Sequence, residues 1–189
     1  ATLVELEGHG REEQVLPGAD LGRTIGWFTS MFPVRLDLTG IDIDDAFAGG
    51  RAAASAVKAI KEQLLAIRDH GIGFGMLRYL DPESVNHLRN QRTPQISFNY
   101  LGRVSGADVP EELAAIGWAP TGALGQVDAA LDADMPASAA IDINAIVNDG
   151  PEGPQLGANI AFPTGLLDRE DVDEFAQHWR AALDALVAH

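Results

Sequence analysis

Five runs in this chain alternate apolar and polar side chains, and this period of two constrains the fold most, because it calls for strands with one face buried. Thr2, Val4 and Leu6 lie opposite Leu3, Glu5 and Glu7. After Pro33, Val34, Leu36 and Leu38 alternate with Arg35 and Asp37. Ile96, Phe98 and Tyr100 alternate with Ser97, Asn99 and Leu101, the pattern of a buried central strand, so Asn99 and Tyr100 must point to opposite faces. Ile141 to Val147 and Leu156 to Phe162 alternate again, around Asn148-Asp149-Gly150-Pro151-Glu152-Gly153, and read as a hairpin with a glycine-bearing loop.

Between these runs the period changes. Val57, Ile60, Leu64 and Ile67 recur at three- and four-residue steps within Asp44 to Arg68, which reads as one long helix. Gly49-Gly50 weakens its first turns by roughly 1 kcal/mol per glycine, so its start can fall after them, and Gly71 is placed to end it. Met76 to Leu80 and Pro82 to Leu88 read as short helical pieces. A last helix, capped by Asp168, carries Val172, Phe175, Trp179, Leu183 and Leu186 as an apolar stripe for the sheet, with His178 and His189 solvated off it. Ser105 to Pro136 is rich in glycine, alanine and proline and reads as irregular, with Trp118 as its anchor.

Composition excludes several functions. At 189 residues the chain is one ordinary domain in size, and 46% hydrophobic content with 22% charged is globular. A formal charge of −15 repels nucleic-acid phosphates and anionic membrane surfaces. No apolar run approaches a membrane span, and without cysteine neither a disulfide framework nor a thiolate zinc site can form. No secretory pattern opens the chain, which begins abruptly on a strand as an excised piece would, and a cytoplasmic location is expected.

Chemistry concentrates at Glu7-Gly8-His9-Gly10-Arg11-Glu12, where a strand runs out into a loop and two glycines permit a sharp turn. By itself the cluster supports two readings. It is either a polar strand end with Arg11 neutralised by a neighbouring acid, or a carboxylate held near His9 and Arg11 to accept and return a proton. Gly71-x-Gly73-x-Gly75 is not a phosphate cradle, because such a loop follows a strand and opens a helix, whereas this one follows a helix.

Glu7 to Glu12 is identical to a signature of the epimerization domains of nonribosomal peptide synthetases. Three more follow in the family's order: Arg23-Thr24-Ile25-Gly26-Trp27-Phe28-Thr29-Ser30-Met31-Phe32-Pro33, Gly71-Ile72-Gly73-Phe74-Gly75, and Phe98-Asn99-Tyr100-Leu101-Gly102-Arg103. The chain therefore resembles the C-terminal lobe of such a domain. The resemblance implies an α/β fold, a chloramphenicol acetyltransferase-like lobe with a mixed β-sheet flanked by helices, residues 1–189 forming one subdomain. Such domains are similar to a V of two lobes with the active site between them. The family's N-terminal lobe supplies a His-His-x-x-x-Asp-Gly motif; no adjacent histidine pair occurs here. Half of the site is thus expected elsewhere, with the isolated lobe inactive.

The implied reaction converts an L-aminoacyl or peptidyl thioester on a carrier protein to the D-form. The substrate hangs from the 4′-phosphopantetheine arm of a peptidyl carrier protein, and no directly bound cofactor or metal is implied. Carried over by position, Glu7 is the catalytic acid/base facing the missing histidine, its pKa raised by partial burial between the lobes. His9 and Arg11 orient or charge-balance it, and Trp27, Thr29, Ser30, Asn99 and Tyr100 line the substrate or pantetheine channel. Ile25 stands for the usual valine, and Phe32 and Phe74 for frequent tyrosines, so any role of those hydroxyls is absent. Two alternatives are a condensation domain, forming the peptide bond on the same architecture, and a noncatalytic docking module. The lobe-facing surface, bare in isolation, gives the further expectation of a homodimer.

Overall fold

The computed structural model describes residues 1–104, 135–150 and 152–188; most of the stretch read as irregular, with Trp118, lies outside them, as does His189. Its centre is a five-stranded mixed sheet in the order β2-β1-β3-β4-β5. The strands are β1 (Thr2–Gly8), β2 (Ser30–Leu36), β3 (Ile96–Val104), β4 (Ile141–Gly150) and β5 (Gly153–Ala161). β1, β3 and β4 run parallel to one another, while β2 and β5 pair antiparallel at the two edges. The mixed α/β architecture implied by the four sequence blocks is therefore the observed one.

Register turns the alternation into two chemically distinct faces. Val4 lies level with Val34 and Ile96, Leu6 with Phe32 and Phe98, and Phe98 with Ile143. That apolar face is buried at Val4, Phe32, Val34, Ile143 and Ala145. Glu5 is level with Ser97 and Ser97 with Asp142, while Asn99 is level with Asn144 and Asn144 with Asn159. By strand parity Glu7 joins this second, polar face.

Helices flank the sheet. They are α1 (Ile43–Phe47), α2 (Arg51–Leu65), α3 (Ile72–Tyr79), α4 (Val85–Arg89) and α5 (Arg169–Ala188). The α5 stripe docks as its spacing predicts: Val172 is buried, and Trp179 meets Phe98 edge-on with ring centroids 6.3 Å apart. Leu186, at the end of the stripe, stays 42% exposed. His178 is exposed, within 3.6 Å of Glu174. Among the described residues no helix is long and apolar enough to cross a membrane.

Four boundaries differ from the sequence reading. β2 begins at Ser30 rather than after Pro33. Pro33 is tolerated because β2 is an edge strand, where a missing N–H costs no central ladder bond. The hairpin strands continue to Gly150 and Gly153, which pair with each other, so the loop is shorter than its composition suggested. The long helix is two helices. Asp42 caps α1 by accepting from the Asp45 amide at 3.1 Å, and the Asp45 carboxylate caps α2 by accepting from the Ala52 amide at 2.8 Å. Gly49 turns the chain at φ +71°, and a Cβ on Gly50 would lie 2.1 Å from Asp45 Oδ1. Asp45→Ala removes the α2 cap and is expected to cost about 1 kcal/mol, read as a lower urea midpoint at unchanged slope.

α2 also ends before Gly71. Arg68–Gly71 forms a tight turn in which Asp69 and His70 adopt φ +49° and Gly71 φ +83°. Gly71 thereby caps the start of α3, and Gly73 and Gly75 lie within that helix.

Candidate functional site

Glu7 is half-buried near the end of β1, where the parallel register brings β3 alongside. Pairing ends at Gly8, and the next residue folds its side chain back over the polar face. His9 Nε2 donates to Asn99 Oδ1 at 2.7 Å, across 90 residues of sequence, and Thr29 Oγ1 lies 3.4 Å from His9 Nδ1. Asn99 is buried at 7% exposure, and its Nδ2 donates to Asn144 Oδ1 at 3.0 Å. Residues from β3, β4 and the loops after and before the β1–β2 pairing thus contribute to a single polar chain, Thr29–His9–Asn99–Asn144.

Burial is the main influence on the Glu7 carboxyl and raises its pKa above the ordinary 4.5; His9 pulls it down, and the carboxylates of Asp142 and Glu5 push it up again. Desolvation favours the neutral acid. Between the ordinary and the raised value, folded Glu7 keeps a proton that the unfolded chain has lost. Its contribution to stability therefore falls as pH rises through that window, leaving a penalty above it. Glu7→Gln removes the penalty. The variant should melt at a higher temperature than the native chain at pH 7, with the gap closing below pH 4.5; thermal melts across pH giving a gap that widens toward acid would contradict this.

The remaining candidates separate. Arg11 turns away from Glu7: its Nη1 donates to the carbonyls of Leu21 and Thr24, both at 2.7 Å, and its guanidinium lies 4.3 Å from the Phe28 ring centre. Among the described residues it forms no ion pair, so its position is that of a pin for the loop carrying Trp27 rather than of a counterion. Trp27 is 90% exposed on that loop. Ser30 opens β2 opposite Gly8, one pair beyond Met31 and Glu7. Tyr100 lies on the opposite face from Asn99, level with Ala145, and is half exposed. Glu12 is engaged too: its carboxylate accepts from Gln14 and lies 2.9 Å from His70 Nδ1.

Asp142, Asn144 and Glu5 do not stand out in the sequence as site residues. The signal available is parity, since each sits at an alternate position of its run; only the register shows that they share a level with Ser97 and Asn99. Among the described residues no cluster of three or more His, Cys, Asp or Glu side chains could hold a metal. An apolar cavity of about 600 Å³ between α1, α2 and α5 includes none of the residues above.

A family model described as "Condensation domain" matches residues 1–189. A plipastatin synthase of Bacillus subtilis (strain 168) is 33% identical over 192 residues, covering 100% of this chain and 5% of that protein. A linear gramicidin synthase of Brevibacillus parabrevis is 35% identical over 188 residues, covering 100% of this chain and 2% of that protein. Among solved structures, the epimerization domain from the third module of tyrocidine synthetase B superposes with a TM-score of 0.69 at 28% identity, over 98% of this chain and 36% of that one. The chain thus spans a small part of its curated relatives and about a third of the matching domain. With its whole length matched, it belongs to the condensation-domain family of nonribosomal peptide synthetases.

Proposed function

We propose that the chain is the C-terminal lobe of an epimerization domain, which moves the α-proton of an aminoacyl or peptidyl thioester from one face to the other. The observation that carries this reading is Glu7, a half-buried carboxyl with a raised pKa, beside His9 in a chain that superposes on an epimerization domain. Glu7 and a histidine of the N-terminal lobe stand on opposite sides of the α-carbon. One removes the proton, the electron pair moves into the thioester carbonyl to give a planar enolate, and the other returns a proton to the opposite face as the carbonyl re-forms. A peptidyl carrier protein delivers the substrate on its phosphopantetheine arm, past Trp27, Thr29, Ser30 and Asn99, and the thioester supplies the acidity that needs no further cofactor. The lobe alone is inactive, since one face of the substrate then lacks its partner.

Peptide-bond formation is the second reading, supported by the family whose model matches. Incubating the two-lobed protein with a carrier-bound aminoacyl thioester and a second, carrier-bound aminoacyl acceptor in deuterium oxide distinguishes them. Epimerization incorporates deuterium at the α-carbon without amide formation; amide formation with no α-deuterium refutes it.

A further inference from the structure

We propose that Asn144 is a positioning residue that fixes which nitrogen of His9 carries the proton. Asn99 has one amide to share between two neighbours. With its Nδ2 committed to Asn144 Oδ1 at 3.0 Å, it can offer only Oδ1 to the imidazole, 2.7 Å away. An oxygen there requires Nε2 to be the donor, so the neutral ring is the Nε2–H form and Nδ1, toward Thr29 Oγ1, keeps its lone pair. Rotating the Asn99 amide by half a turn would present Nδ2 to the ring and select the Nδ1–H form instead. The rotation is opposed because Asn99 is buried and the Asn144 amide would have to turn with it to keep two oxygens from facing each other.

The consequence concerns proton traffic. A ring held this way keeps Nε2–H on Asn99 Oδ1 and turns the Nδ1 lone pair toward Thr29 Oγ1. His9 favours the ionised form of Glu7, and a ring of fixed tautomer gives the carboxyl a constant neighbour through the reaction. This catalytic part rests on the epimerization reading; the tautomer does not.

Nitrogen-15 spectra of the chain labelled in its five imidazoles report the tautomer directly, His9 being assigned by its loss in His9→Gln. The native chain is expected as Nε2–H alone. Asn144→Ala frees the Asn99 amide and introduces an Nδ1–H population, whereas Asn144→Asp, which can only accept, keeps the ring wholly Nε2–H. If alanine unfolds the strand, Asn144→Val, apolar and suited to β-structure, carries the same expected mixture. A native ring in the Nδ1–H form, or alanine and valine spectra unchanged from native, overturns the proposal. In the two-lobed protein, Asn144→Ala should slow α-proton exchange about tenfold, near the rate equivalent of one hydrogen bond. Exchange unchanged beside a shifted tautomer overturns the catalytic part. A native protein without α-exchange but with the expected tautomers overturns the epimerization reading and leaves the positioning standing.

Discussion

Glu7→Gln in the two-lobed protein is expected to slow α-proton exchange by about a hundredfold or more while carrier-protein binding is unchanged. Glutamine fills almost the same volume and keeps an oxygen acceptor, but it has no exchangeable acid proton near neutral pH, so the variant tests proton transfer rather than shape. The expected thermal gain of the same variant makes loss of activity by unfolding an inadequate explanation. Solvent deuterium incorporation at the α-carbon, with carrier affinity measured in parallel, reads both quantities. Exchange within about twofold of native would remove Glu7 from the chemistry and favour a docking role. Loss of amide formation, with no deuterium incorporated at any stage, would place the chain among the peptide-bond-forming members of the family.

Gly71→Ala is expected to be the most damaging methyl group that can be added to the turn before α3. At φ +83° the backbone already disfavours any side chain, and a Cβ there would lie 2.2 Å from the Phe32 ring. Phe32 is itself buried at 8% exposure, so the ring has no solvent side to retreat into. Overpacking and left-handed strain together should cost about 3 kcal/mol or more, measured as a lowered denaturant midpoint. The same change at Gly73 or Gly75 meets nothing within 4 Å and lies inside α3, where alanine is the better helix former; each should stabilise by up to about 1 kcal/mol. Equal losses at all three positions would contradict this account. One glycine of the block is held by packing, and the other two have no steric requirement.

What the sequence shows and what it conceals follow from the range of the interactions concerned. β1, β3 and the two hairpin arms are legible because period two is a local signal, and the α5 stripe because its contacts repeat every three or four residues. The break between α1 and α2 is half legible: the glycines announce a weak point, but the Asp45 carboxylate reaching over Gly50 to the Ala52 amide is a side-chain choice that periodicity does not carry. Pro33 shows the opposite error, a local breaker overruled by its place at the sheet edge. In the candidate site, Glu7, His9, Thr29 and Asn99 are legible as members of ordered blocks. Asn144 is not, because its partner lies 45 residues away and only the parallel register of β3 and β4 makes them neighbours. Arg11 misleads for a related reason: charge suggests an acid, but the loop folds two carbonyls and an aromatic ring onto the guanidinium first.

The parallel pairing of β1 with β3 has a kinetic implication for biosynthesis. Glu7 and His9 leave the ribosome long before their neighbours, since the Asn99 side chain follows His9 by 90 residues, roughly five to twenty seconds of translation. During that interval β1 has only its hairpin partner β2, and its other edge is open to any nascent chain nearby. The strand bearing the carboxylate is therefore the part of the sheet that most needs shielding while synthesis is under way.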